Sequence, residues 1–231
     1  MQRHTDRDYE HELDTLRERV LFMGAQVEHL VETAVMALQR NDQAQAAVAI
    51  SLDEGIDRLE MEIDERSLRL LARRQPVASD LRLITTTLKL VTDLERAADL
   101  GVNVAERVVE LTAFKTKIDV YATLERMADI TLSMLRDSLD AFVSSDALKA
   151  EQVLSRDASV DALYSELFPE LISQTVADIR NIEQATKLQS VGKYIERLAD
   201  HATNIAEMVI FMVRGQDVRH HHFDPMAVGR A

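Results

Sequence analysis

The chain repeats one acidic motif. The segment LERAAD occurs near the middle of the chain, and IERLAD follows about a hundred residues later. Residues four apart share one face of a helix, so Glu95 and Asp99 form one acidic pair, and Glu196 and Asp200 form another. Like charges at this spacing repel each other unless a cation or a partner lies between them. The motif therefore predicts a cation-binding or partner-binding face.

A second acidic pair precedes each motif. The four-residue spacing recurs upstream in two places: Asp53 with Asp57, and Asp157 with Asp161. The midpoint between the first such pair and Glu95–Asp99 falls at Pro76, inside a predicted turn, and the midpoint in the second half falls at the predicted reversal around residues 178–181. Antiparallel helices rise equally per residue, so each hairpin brings its two pairs to the same level. Four carboxylates in each half are thus predicted to lie close together.

Clusters of carboxylates alone favour hard or borderline cations: Mg²⁺, Ca²⁺, Mn²⁺ or iron. The competing interpretation is a solvated acidic face, because acidic pairs on helix surfaces are common. A shared level does not make the two pairs face each other. Repetition of the arrangement in both halves is what favours the metal interpretation.

Other polar residues give weaker signals. The run His220–His222 lies in a polar tail and is interpreted as incidental or weakly chelating, and His201 is predicted to be a surface residue. Arg96 and Arg197 are expected to neutralise the neighbouring carboxylates. No histidine has a glutamate three residues before it, so the Glu-x-x-His pairs of ferritin-like di-iron enzymes are absent. No phosphate loop or nucleophile motif is visible, and the protein is predicted not to be an enzyme.

Composition favours an all-α protein. Glycine (6) and proline (3) are scarce among the 231 residues, and aromatic residues make up 4%. A formal charge of −13 and the absence of a basic run argue against nucleic-acid binding. The absence of cysteine excludes disulfides and thiolate metal sites. The N-terminus lacks the apolar segment of a secretory signal, and no apolar run approaches a membrane span, so a cytoplasmic protein without membrane insertion is expected.

Apolar periodicity predicts six long helices in two halves. In the first half the helices run over about 8–40, from after Asn41–Asp42 to Arg74, and from residue 79 or 80 to about 112. Their expected core stripes include Leu13, Leu16, Val20, Ile56, Ile63, Leu81, Ile84 and Val91. In the second half the fourth helix begins near Asp119, and the fifth follows Ser144–Asp146 with a bend expected at Pro169. The sixth helix ends at Arg214–Gly215.

Self-comparison indicates a duplication. A shift of 104 aligns Asp53 with Asp157, and a shift of 101 aligns Glu95 with Glu196. Seven of thirteen positions are identical between residues 94–106 and 195–207. The predicted fold is all-α, with two tandem antiparallel three-helix bundle repeats and a pseudo-twofold axis. The predicted domains are 8–113 for the first repeat, 119–215 for the second, and 216–231 for a polar tail.

These motifs resemble the PhoU family. The residues that carry the resemblance are QPVASDLR at 75–82, DLERAAD at 93–99 with Asn103, Ala105 and Glu106, and YIERLADHATNIAE at 194–207. The similarity covers roughly residues 8–215. Leu100–Gly101 departs from the family pattern, in which a histidine or lysine and a small residue often follow the first motif.

The resemblance implies a six-helix, usually dimeric, cytoplasmic negative regulator of phosphate uptake. Such proteins mediate between the ATPase subunit of the phosphate ABC transporter and the sensor histidine kinase of the phosphate regulon, restraining both when phosphate is plentiful. It also implies metal clusters, of iron or zinc before magnesium or manganese. The implied ligands are Asp53, Asp57, Glu95, Asp99, Asp157, Asp161, Glu196 and Asp200. The alternative is a metal-free helical scaffold whose acidic stripes bind a basic partner, and a carboxylate-bridged metalloenzyme ranks last.

Overall fold

A computed structural model describes residues 2–114, 118–216 and 218, with side chains from residue 7 onward. Six helices account for nearly all of them: α1 Gln2–Arg40, α2 Gln43–Arg74, α3 Ala78–Leu111, α4 Tyr121–Ser144, α5 Ala147–Ala177 and α6 Ile182–Arg214. A short 3₁₀ turn, Ile179–Asn181, precedes α6, and the described residues contain no strand. The prediction of two three-helix repeats is confirmed. The run His220–His222 and most of the predicted tail 216–231 lie outside the described residues.

The first connection in each half uses the same local chemistry. Asn41 and Ser145 adopt left-handed backbone conformations and end α1 and α4. Asp42 then caps α2, its carboxylate accepting hydrogen bonds from two backbone N–H groups at 2.9 and 3.1 Å, and Asp146 caps α5 with the same two distances. A carboxylate at this position satisfies orphan donors of the first helical turn. Duplicated caps therefore give the two halves matching hairpins.

Packing places the acidic helices at the flanks of one core. In the middle, α1 and α6 each contact both α3 and α4, whereas α2 packs on α1 and α3, and α5 packs on α4 and α6. Arg82, near the start of α3, donates from Nε to the carbonyl oxygen of Met212 at 3.0 Å, and Lys187, early in α6, pairs with Glu110 at the end of α3. Helices α3 and α6 therefore run antiparallel, and the two hairpin turns lie at opposite ends of the molecule.

Most of the predicted core stripe is buried; the structure corrects one core residue, Leu81, and one helix boundary, the start of α1. Leu81 is 42% exposed, because it lies in the first turns of α3, where Leu83 and Ile84 occupy the inward positions. The helix α1 begins at Gln2 rather than near Asp8. Pro169 lies on the exposed surface of α5, which continues through it to Ala177.

Helix α1 is the one described helix whose length and apolar composition would suffice to cross a membrane, although the sequence was expected to hold no such segment. Just over half of its most apolar window is buried inside the bundle. Side chains of α1 such as Val20, Val27 and Leu30 are fully buried against the other helices. Because a helix that packs inside a bundle needs a wide apolar face, packing accounts for the apolar stretch of α1.

Candidate metal centres

The first cluster consists of Asp53 and Asp57 on α2 with Glu95 and Asp99 on α3. Partial burial raises the pKa of Asp53, and the charges of Asp57 and Asp99 raise it further. Partial burial likewise raises the pKa of Glu95, followed by the charges of Asp99, Glu60 and Asp57. Carboxylates on one helix of the hairpin therefore act electrostatically on those of the other.

Two further carboxylates extend the first cluster along α2. Glu60 is partly buried, and its pKa is raised first by that burial and then by Asp64 and Asp57, while a hydrogen bond from Thr92 partly offsets the rise. Burial also raises the pKa of Asp64, whose Oδ1 atom is inaccessible to solvent and has no hydrogen-bond partner. The sequence prediction missed both residues, although steps of four, three and four from Asp53 to Asp64 keep all four acids on one helix face.

The second cluster consists of Asp157 and Asp161 on α5 with Glu196 and Asp200 on α6. Partial burial raises the pKa of Asp157, and the charges of Asp161 and Glu196 raise it further. A hydrogen bond from the Thr203 hydroxyl at 3.3 Å counteracts this rise. The pKa of Asp200 is raised to about 6, by loss of hydration first and then by Glu196 and Asp157. The four carboxylates of the second half are therefore coupled across the helix pair as well.

A lysine distinguishes the second cluster. The Nζ atom of Lys193 lies 2.6 and 2.8 Å from the two carboxylate oxygens of Glu196. Within the described residues, no lysine or arginine forms an ion pair with Asp53, Asp57, Glu95 or Asp99. The two halves thus share acidic positions but differ in their counter-charges.

The predicted neutralising role of Arg96 and Arg197 is weak in this structure. Both guanidinium groups are exposed, and neither forms an ion pair in the described part of the chain. The charge of Arg96 lowers the pKa of Glu95, yet it ranks behind the burial and the three carboxylates that raise it. In the second cluster the charge of Glu196 is neutralised by Lys193 instead. Lys193 lies three residues before Glu196, a spacing that places both side chains on one face of α6.

The prediction that His201 is a surface residue is wrong. His201 is 8% exposed, and its Nδ1 atom lies 2.7 Å from Oδ1 of Asp93 on α3. Asn204 donates to the same Oδ1 atom at 3.1 Å. Because α3 and α6 pack in the centre of the bundle, a polar residue following the second motif faces the other half rather than solvent. His201 and Asp93 therefore link the two halves.

The donor set of each cluster fits a hard or borderline cation, because every donor is a carboxylate oxygen and the charges repel one another without one. An orphaned carboxylate oxygen on Asp64 adds a donor in need of a partner at the first cluster. As the side chains are placed, no three Asp, Glu or His side chains of the described residues form a group that could hold a metal ion. Coordination would therefore require rotation of side chains, and the role of the eight residues as metal ligands stays a prediction.

Comparison with known proteins supports both the fold and the duplication. The family model described as "PhoU domain" matches residues 20–108 and again 124–209. A protein of Rhizobium meliloti strain 1021, named as a homologue of the phosphate-specific transport system accessory protein PhoU, is 39% identical over 207 residues, which cover 90% of this chain and 87% of that protein.

Solved structures show the same architecture. The crystal structure of PhoU from Pseudomonas aeruginosa superposes with a TM-score of 0.87 at 38% identity, covering 90% of this chain and all of that one. The phosphate transport system regulatory protein PhoU from Streptococcus pneumoniae gives a TM-score of 0.84 at 30% identity, covering 91% of this chain and 99% of the other. Each family match spans most of the three helices of one half, including the hairpin that carries its carboxylates.

Proposed function

This chain belongs to the PhoU family, and from that membership we propose that it is a negative regulator of phosphate uptake and of phosphate-regulon signalling. Its relatives are named as accessory proteins of phosphate-specific transport, which supports a regulatory rather than an enzymatic role. The proposed partners are the ATPase subunit of the phosphate ABC transporter and the sensor histidine kinase of the regulon. The proposed form is a cytoplasmic homodimer.

We further propose that metal binding to the two carboxylate clusters controls this adaptor. The proposal is supported by the repeated acidic pairs on the two packed helices of each hairpin, and by the raised pKa values of Asp53, Glu95, Asp157 and Asp200, to each of which a carboxylate on the other helix contributes. When bound, a cation would neutralise the acidic face and draw the two helices of each hairpin together. The first cluster would supply Asp53, Asp57, Glu95 and Asp99, and the second Asp157, Asp161, Glu196 and Asp200. Iron or zinc is proposed before magnesium or manganese.

Metal analysis of the purified, untagged protein tests this proposal. The double variant Glu95→Ala/Glu196→Ala removes one carboxylate from each cluster and is expected to lose most of the bound metal. The double variant Glu54→Ala/Glu166→Ala is the matched control, because it removes two exposed carboxylates from the same helical hairpins outside the clusters. Equal metal content in the two double variants would contradict the metal part of the function.

The absence of a preformed three-residue ligand group among the described residues favours one alternative, a metal-free scaffold that binds a basic partner directly. Such a scaffold predicts that binding to the transporter ATPase or to the kinase falls steeply with salt and is unchanged by chelators. The metal-dependent adaptor predicts loss of binding on chelation and recovery when metal is restored. Binding assays with purified partners, carried out with and without chelator at two salt concentrations, separate these functions.

A further inference from the structure

We propose that the two clusters are unequal metal sites, with Lys193 serving as a built-in cation of the second cluster and the first cluster binding metal more tightly. This inference rests on the proposed metal-binding function and specifies which half of the chain carries most of it. It is carried by contacts of residues that the two halves do not share.

Lys193 is held against the second cluster. Its Nζ atom contacts both carboxylate oxygens of Glu196, within 2.6 and 2.8 Å. Glu196 is 16% exposed and the Lys193 side chain 47% exposed, so the contact is shielded from solvent on the carboxylate side only. The charge of Lys193 also acts on Asp200, one turn further along α6. One ammonium group thus already offsets part of the charge of two of the four acids.

Two neighbours fix the lysine in that place. Its Nζ atom lies 5.6 Å from the centre of the Tyr164 ring on α5, in a cation–π contact. The Tyr164 hydroxyl accepts a hydrogen bond from Nε2 of Gln189 at 2.9 Å. Gly192 helps α5 approach closely, since a Cβ atom there would lie 3.4 Å from the Tyr164 ring and 2.3 Å from Leu167. The lysine therefore sits in a built cradle of side chains from α5 and α6.

The first half replaces each part of this cradle. At the shifts that align the halves, Lys193 corresponds to Thr92, Tyr164 to Glu60 and Gln189 to Leu88. The cation is lost, and the ring that holds it becomes another carboxylate. Phe168 of the second half likewise corresponds to Asp64, whose buried Oδ1 atom has no hydrogen-bond partner. The first cluster is therefore more acidic, and no lysine or arginine in the described part of the chain forms an ion pair with its four acids.

An incoming cation meets different surrounding charges at the two clusters. At the first cluster an incoming cation relieves repulsion among Asp53, Asp57, Glu95 and Asp99, and breaks no ion pair. At the second it must displace Lys193 from Glu196 and then remain near a positive charge. We expect the apparent affinities to differ by about tenfold or more, as a positive charge a few ångströms from a partly shielded site would produce.

Reciprocal exchange of one aligned pair tests the inference. Metal-free, full-length protein is titrated with Mn²⁺, followed by the electron paramagnetic resonance signal of the free ion, and with Zn²⁺ by calorimetry. The wild type is expected to show a tight class of sites that Glu95→Ala abolishes and a weak class that Glu196→Ala abolishes. Lys193→Thr should tighten the weak class, and Thr92→Lys should weaken the tight class, each by about tenfold.

Two further variants separate charge from shape. Lys193→Met keeps the length of the side chain without its charge and should behave like Lys193→Thr, whereas Lys193→Arg should behave like the wild type. Circular dichroism melts confirm that each variant is folded. Equal affinity of the two clusters in the wild type, or no change in Lys193→Met, overturns the inference alone. Absence of tight Mn²⁺ and Zn²⁺ binding to the wild type overturns the proposed metal function as well.

Discussion

The two halves of the molecule agree in their backbone and differ in their charges. Helices end and begin with the same geometry at Asn41–Asp42 and at Ser145–Asp146, and each hairpin carries acidic pairs whose charges act on each other across its two helices. Beside those acids, the first half carries Glu60 and Asp64 on α2, whereas the second carries Tyr164 and Phe168 on α5. After duplication, residues that define helix ends and core contacts stay tied to the fold, but surface residues one turn away are free to diverge. Equal folds therefore need not give equal sites.

A second difference lies at the boundary between the halves. Asp93 of the first half pairs with His201 and Asn204 of the second, but the aligned positions Tyr194 and Leu100 carry no such pair. The polar link therefore exists once rather than twice. It ties α3, just before the first motif, to α6, just after the second motif.

The largest expected effect comes from breaking that single link. Asp93→Ala removes the partner of a buried histidine, and leaving a buried polar group unpaired costs about 1–3 kcal/mol. We therefore expect urea unfolding to show a loss of roughly 2 kcal/mol for Asp93→Ala. His201→Leu, which installs the residue found at the aligned position 100, should cost less, because Asp93 keeps Asn204 as a donor.

Tyr194→Phe is the control for the link, since Tyr194 occupies the aligned position in the other half. Its expected effect is within about 0.5 kcal/mol, as for an ordinary substitution away from special contacts. If Tyr194→Phe lost as much stability as Asp93→Ala, the loss would come from the pseudo-twofold packing of the helices rather than from the polar link.

The next effect concerns the pH dependence of the second cluster. The folded-state pKa of Asp200 is about 6, above its ordinary value of 3.8. A carboxyl with a raised pKa favours the folded state when protonated, so its contribution is present below about pH 4 and is lost as the pH rises through 6. Metal-free wild type should therefore lose stability over this range, and Asp200→Asn should lose less.

Solvent screens the exposed Asp200 carboxylate, so the expected gain of Asp200→Asn at pH 7.5 is only about 1 kcal/mol. Thermal or urea unfolding of metal-free protein between pH 4 and 8 measures it, with Asp200→Glu as the variant that keeps the charge. Parallel stability curves for wild type and Asp200→Asn would show that repulsion at the second cluster does not act on folding. With metal added, the sign should reverse, because the variant then lacks a ligand.

Sequence patterns predicted the fold but not the counter-charges of the acidic pairs, and the role of the eight acids as ligands stays a prediction. Helical periodicity and the turn at Pro76 are local features, so α2 and α3 could be predicted. The partners of Lys193 and His201 depend on how α5 and α3 pack against α6, which no spacing within one helix specifies. His201 appeared polar and exposed because its partner Asp93 is more than a hundred residues away. Glu60 and Asp64 could have been found, because they continue one helix face.

The last expected effect, no larger than that at Asp200, belongs to the feature that the halves share. Asp42→Ala and Asp146→Ala each remove a helix cap that accepts two backbone hydrogen bonds, at 2.9 and 3.1 Å in both halves. Loss of such a cap costs about 1 kcal/mol, so urea unfolding should show nearly equal losses for the two single variants and their sum for the double variant. Equal losses here, together with unequal metal affinities at the clusters, would place the difference between the halves in side-chain charge. A cap loss confined to one half would instead mean that the backbones themselves have diverged in stability.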